Sequence, residues 1–102
     1  MARISPRRLL RGGIGDLGLS AHDALVLLAL VDYADTAGIA WPSQYTLARD
    51  LGLARSTVQG ALGRLVAAGV VVEHEPGRQG RSTRYRVVVQ LARHPGQLVA
   101  VN

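Results

Sequence analysis

Apolar residues follow helical spacing over the first two-thirds of the chain and an alternating rhythm thereafter. Leu25, Leu28, Ala29 and Asp32 share one helical face, and Val26, Leu27, Leu30 and Val31 fill most of the remaining circumference. A helix apolar nearly all round belongs in the middle of a small core. Ser20-Ala21-His22-Asp23 opens it with a capping-box pattern, Asp23 standing where Glu or Gln is commoner. Thr36-Ala37-Gly38 is expected to end it, with Gly38 in the left-handed C-terminal position. Ser43 starts a second helix over 44–51, with Leu47, Ala48 and Leu51 inward. Gly52-Leu53-Ala54 makes a turn. A third helix over about residues 55–68 buries Val58, Ala61, Leu62 and Leu65, and Gly69 closes it.

Two-residue alternation replaces helical spacing at Val70. Residues 70–75 are rich in β-branched side chains, Pro76-Gly77-Arg78-Gln79-Gly80 is a turn cluster, and residues 83–90 alternate again. In that second strand Tyr85, Val87 and Val89 share one face, and Arg84, Arg86 and Val88 the other. Ile39-Ala40-Trp41, ahead of Pro42, reads as one short strand. The fold class is therefore α+β: three helices, a short strand and a C-terminal β-hairpin. Residues 1–18, rich in Arg and Gly, read as a flexible basic arm, 19–91 as the domain, and 92–102 as a C-terminal tail. Its apolar stretch at 98–101 has no assigned place.

Composition narrows the function classes. The chain has 102 residues, 48% of them hydrophobic, enough for one small core and too few for two. Its longest apolar run, residues 24–31, is too short to span a membrane, and no apolar stretch follows the N-terminal arginines to form a signal sequence. A cytoplasmic location is the expectation. Without cysteine there are no disulfides or thiol chemistry. His22, His74 and His94 are too dispersed for a metal motif, so no metal or other cofactor is expected. Neither a nucleophile elbow nor a phosphate-binding loop is present, and catalysis is not expected.

Charge is segregated. Lysine is absent. Arg3, Arg7, Arg8 and Arg11 give the first eleven residues +4; five aspartates against Arg49 give residues 12–50 −4; seven arginines against Glu73 and Glu75 give the remainder +5. With an isoelectric point near 11.1, this points to a polyanionic partner.

Two helices joined by a tight glycine-containing turn, then a hairpin with arginines at its tip, describe a winged helix-turn-helix. Its second helix would brace a third that enters a DNA major groove, while the hairpin lays arginines along phosphates or a minor groove. Trp41-Pro42-Ser43, Leu47-Ala48-Arg49-Asp50-Leu51-Gly52 and Ser56-Thr57-Val58-Gln59 through Leu65 resemble the winged helix-turn-helix family found in plasmid and phage replication proteins and in GntR-type regulators. With the hairpin, the resemblance covers about residues 19–89. It implies binding of double-stranded DNA, often as dimers on repeated or inverted sites. Many members have Ser where this chain has Ala54, a poor N-cap. Either Arg55 or Ser56 then shifts the cap inward, or the helix end frays until phosphate docks.

Set against its core direction, the third helix turns Ser56, Gly60 and Gly63 outward, with Gln59 on one flank and Thr57 and Arg64 on the other. Gln59, Arg55 and Arg64 are the candidates for reading base edges, and Ser56 and Thr57 suit phosphates. The two interior glycines either allow close approach to bases or a partner, or reflect drift in a well-packed helix. Ser43 and Gln44 join the candidate DNA-binding set from the second helix. Arg78, Gln79, Arg81 and Arg84 join it from the hairpin, whose arginines have no acid among them. About five phosphates neutralised per protomer would give a log–log salt slope of about −4 to −5. Sparse readout per protomer favours a homodimer. The expected role is plasmid replication or partition, or transcriptional regulation, without a small-molecule ligand. The rival reading is a protein–protein adaptor in which a partner helix docks on Gly60 and Gly63.

Overall fold

The computed structural model describes residues 4–91 and 98–100. Its elements are α1 (Pro6–Arg11), a 3-10 turn (Ile14–Leu17), α2 (Ala21–Tyr33), β1 (Ile39–Ala40), α3 (Gln44–Leu51), α4 (Arg55–Ala67), β2 (Val71–Glu75), β3 (Arg84–Val87), β4 (Val89–Leu91) and β5 (Leu98–Ala100). The architecture is α+β, with a helical layer and a small antiparallel sheet in the order β1-β3-β2, the layout of a winged helix-turn-helix.

Serine hydroxyls start α2 and α3. Ser20 Oγ accepts from the Asp23 N–H at 3.3 Å and Ser43 Oγ from the Thr46 N–H at 3.0 Å. α2 buries Val26, Leu27, Leu30 and Val31 completely; α3 adds Leu47, and α4 adds Val58, Ala61 and Leu65. The core lies among these three helices and is closed from the sheet side by Val71 and Tyr85.

α2 stops at Tyr33, short of the end the sequence suggests. The Asp35 carboxylate accepts from the N–H groups of Ala37 (2.9 Å) and Ile39 (3.0 Å), pulling the backbone into a tight reversal. Gly38 is left-handed (φ 81°), but in this reversal and not as a helix terminus. Its carbonyl accepts from the Val87 N–H at 2.9 Å, which ties the turn to β3.

The basic arm proves to be ordered where it is described. Ser5 caps α1 by accepting from the Arg8 N–H at 3.2 Å, Pro6 occupies the first turn, and Leu9 is fully buried. Arginine and glycine content suggested a mobile segment. One well-spaced leucine, with Ile4, Ile14, Leu17 and Leu19 packing against the core, anchors it instead. Arg7, Arg8 and Arg11 remain exposed; Arg3 lies outside the described residues.

The C-terminal tail is likewise not wholly detached. β5 pairs antiparallel with β4 (Val89↔Ala100, Gln90↔Val99, Leu91↔Leu98) and lies against the 3-10 turn. His94, Pro95, Gly96 and Val101 fall outside the described residues.

Candidate nucleic-acid interface

The α3–α4 corner is built by Gly52. In the left-handed conformation (φ 68°) it lets the Leu53 N–H reach back to the Ala48 carbonyl at 3.0 Å, ending α3 and turning the chain into α4. α4 then buries Val58, Ala61, Leu62 and Leu65 and exposes Arg55, Ser56, Gln59 and Gly63 to solvent.

The hairpin between β2 and β3 forms the wing. Its tip is closed by reciprocal backbone bonds between Arg78 and Arg81, at 3.0 and 2.9 Å, around Gln79-Gly80. A bulge between Glu73 and Glu75 shifts the register, so that Glu75 pairs with Arg84.

Between this wing and the helices runs an open groove of about 500 Å³. Ser43, Gln44 and Tyr45 line it from the start of α3, Arg55 from the start of α4, and Arg78, Gln79 and Arg81 from the wing. Three guanidinium-bearing residues thus converge on a channel beside the exposed face of α4, beneath two helix N-termini. Such N-termini favour anions, because their free N–H groups and dipoles point outward.

A family model for the helix-turn-helix domain matches residues 17–71. The chain belongs to the helix-turn-helix domain family. The match runs from the end of the 3-10 turn through α2, α3 and α4 to the first residue of β2. The chain is also similar to Protein YmfN of Escherichia coli (strain K12), at 35% identity over 57 residues, or 56% of this chain. It spans only 12% of the length of YmfN. No solved structure matches.

Within this helix-turn-helix domain, six of the candidate residues meet at the groove: Ser43, Gln44, Arg55, Arg78, Gln79 and Arg81. Ser56 and Gln59 lie on the adjoining exposed face of α4, and Thr57 is half-buried at its flank.

Arg64 is otherwise engaged. Its guanidinium grips the Asp23 carboxylate in a fork, Nε to Oδ2 and Nη2 to Oδ1 both at 2.9 Å. It therefore ties α4 to α2. The hydrogen bonds from Arg64 hold the Asp23 carboxyl below its ordinary value of 3.8, outweighing the upward push of burial. A Cβ at Gly60 would stand 3.2 Å from Arg64 Nη1, so the guanidinium would have to give by a few tenths of an ångström. Gly63, by contrast, faces open space.

The wing is less basic than its own sequence implies. Glu75 lies on the facing strand, and its Oε1 holds Arg81 Nη2 at 2.7 Å. Its Oε2 lies 3.6 Å from Arg84 Nε, whose guanidinium sits 4.6 Å above the Trp41 ring. Arg84 is thus drawn onto Trp41 and away from the groove. Sequence reasoning also missed Tyr45, at 64% exposed the most open large apolar side chain among the described residues. Its position, two residues after the serine cap of α3, was the available signal.

Ala54 is the N-cap of α4, with extended geometry (φ −69°, ψ 149°) and no side-chain hydrogen bond. The cap has not moved inward to Arg55 or Ser56. Ala54→Ser is expected to stabilise the protein by about 1 kcal/mol. Thermal unfolding should show the melting temperature rising by about 5 °C; a fall would mean that the backbone there does not suit a serine cap.

Proposed function

We propose that the chain is a sequence-specific binder of double-stranded DNA, with α4 in the major groove and the wing along the adjoining backbone. The observation that carries this reading is the convergence of Arg55, Arg78 and Arg81 on one groove beside the open face of α4. Phosphates bound in that groove would hold the helix in register while Gln59 reaches base edges. One protomer offers few base-reading side chains, and Arg64 is not among them. Specificity on this reading comes from two copies on repeated or inverted sites, together with DNA shape. The biological setting we propose is plasmid replication or partition, or transcriptional regulation.

The test is titration with labelled duplexes of several sequences over a range of ionic strength. Affinity is expected to fall steeply with salt. Gln59→Ala should weaken the preferred sequence by about tenfold or more and leave the others little changed. Uniform weakening would remove Gln59 from base reading. No binding even at low salt would overturn the proposal in favour of a protein-docking role.

A further inference from the structure

A second concave site adjoins the groove. Tyr33, Trp41, Pro42, Ser43, Thr46 and Ser82 line a cleft of about 480 Å³. Of its lining residues, Ser43 alone belongs to the candidate set drawn from the sequence, and the volume is that of a small-molecule site. Two of its walls are aromatic side chains that remain open to solvent, Trp41 at 45% and Tyr33 at 43%. Both rings are fixed from outside. The Tyr33 hydroxyl donates to the Asp50 carboxylate, and the Arg84 guanidinium lies over Trp41. Ser43 Oγ donates to Thr46 Oγ1 at 3.0 Å, which leaves the Thr46 hydroxyl proton free to donate in turn. The Ser82 hydroxyl has no hydrogen-bond partner among the described residues. Pinned aromatic faces with two polar groups beside them suit a flat, polar-edged ring.

We infer that this cleft receives an unpaired nucleobase of the bound DNA, stacked against the Trp41–Tyr33 walls with its edge or sugar on Thr46 and Ser82. The occupant is assigned to DNA because the cleft and the arginine groove are continuous: Pro42, Ser43 and Ser82 line both. A strand leaving the groove reaches Trp41 across the shared Pro42, Ser43 and Ser82. Base stacking on aromatic side chains tolerates any sequence, since every base has a π face. The domain would then prefer a duplex that adjoins a single-stranded segment over a continuous duplex. This inference rests on the duplex-binding reading.

Trp41 is the chain's one tryptophan, so its emission reports on the cleft alone. The probes are a paired duplex, the same duplex with a short oligothymidine overhang on either strand, and thymidine monophosphate. Anisotropy of labelled DNA measures binding independently. The overhang is expected to quench Trp41 and tighten binding by about tenfold over the paired duplex. Trp41→Ala should abolish that gain while leaving affinity for the paired duplex within about twofold. Trp41→Phe, which keeps a ring beneath Arg84, should retain most of it. Equal binding of paired and overhang duplexes, with Trp41 emission unchanged, would overturn the inference and leave duplex binding intact. Equal weakening of both probes by Trp41→Ala would do the same, as would quenching by the free nucleotide that matches the overhang. Overhang-dependent quenching without binding of the paired duplex would uphold the cleft and remove the major-groove reading.

Discussion

Asp23→Ala is expected to lower the melting temperature by about 10 °C. Asp23 is the buried charged residue among those described, 4% exposed, and its carboxylate takes three hydrogen-bond contacts from Arg64 at 2.9–3.1 Å. Charge-assisted bonds of this kind contribute about 2 kcal/mol net after desolvation. For a domain of this size that corresponds to roughly 10 °C. The carboxylate also sits in the first turn of α2, where the helix dipole favours a negative group.

Removing the other partner should do more damage. After Asp23→Ala, the Arg64 side chain, 59% exposed, can turn to water. After Arg64→Met, a buried carboxylate is left without its cation. The double variant is expected to recover part of the Arg64→Met loss, and a thermal-unfolding cycle measures the coupling. The pH dependence follows from the depressed Asp23 value. Its stabilisation is complete above the ordinary carboxyl value of 3.8 and is lost as pH falls through the lower folded-state value. Wild-type and Asp23→Ala unfolding curves should therefore converge in strong acid. A difference that persists undiminished there would show that Asp23 acts through packing and not through charge.

Replacing Arg55 and Arg78 together by alanine is expected to weaken duplex binding by about a hundredfold at low salt. These two groove arginines carry no carboxylate partner among the described residues, whereas Arg81 must exchange Glu75 for a phosphate. Three phosphate contacts correspond to a log–log salt slope of about −3. That is shallower than the arginine content of the sequence suggests, because Arg64 and Arg84 are occupied elsewhere. The double variant should bring the slope to about −1. Arg86 is exposed on β3 but does not line the groove, so Arg86→Ala should change affinity by about twofold or less. An unchanged slope in the double variant, or an equal loss from Arg86→Ala, would mean that the duplex lies elsewhere on the surface.

Much of the fold was legible because it is locally encoded. Ser20 and Ser43 start helices where short hydroxyl side chains can satisfy free N–H groups. Gly52 turns the chain where only a residue without a side chain is unstrained. The spacing of Val58, Ala61, Leu62 and Leu65 orients α4, so the exposure of Ser56 and Gln59 could be read by angle alone. α1 was obscured because its single core residue, Leu9, stands among arginines and glycines whose average composition resembles that of a mobile segment. The early stop of α2 was obscured because Asp35 competes with the helix through a hydrogen bond that periodicity does not register.

The order of helices, turn and hairpin, and the buried side of each, followed from residues at most a few positions apart, since caps, turns and helical faces are short-range properties of the backbone. Which arginines stand ready for an anion was decided only by tertiary packing. Asp23 lies 41 positions before Arg64, and Glu75 meets Arg84 through a shifted strand register. Charge neutralisation acts through space, and the chain distance between two residues says nothing about it.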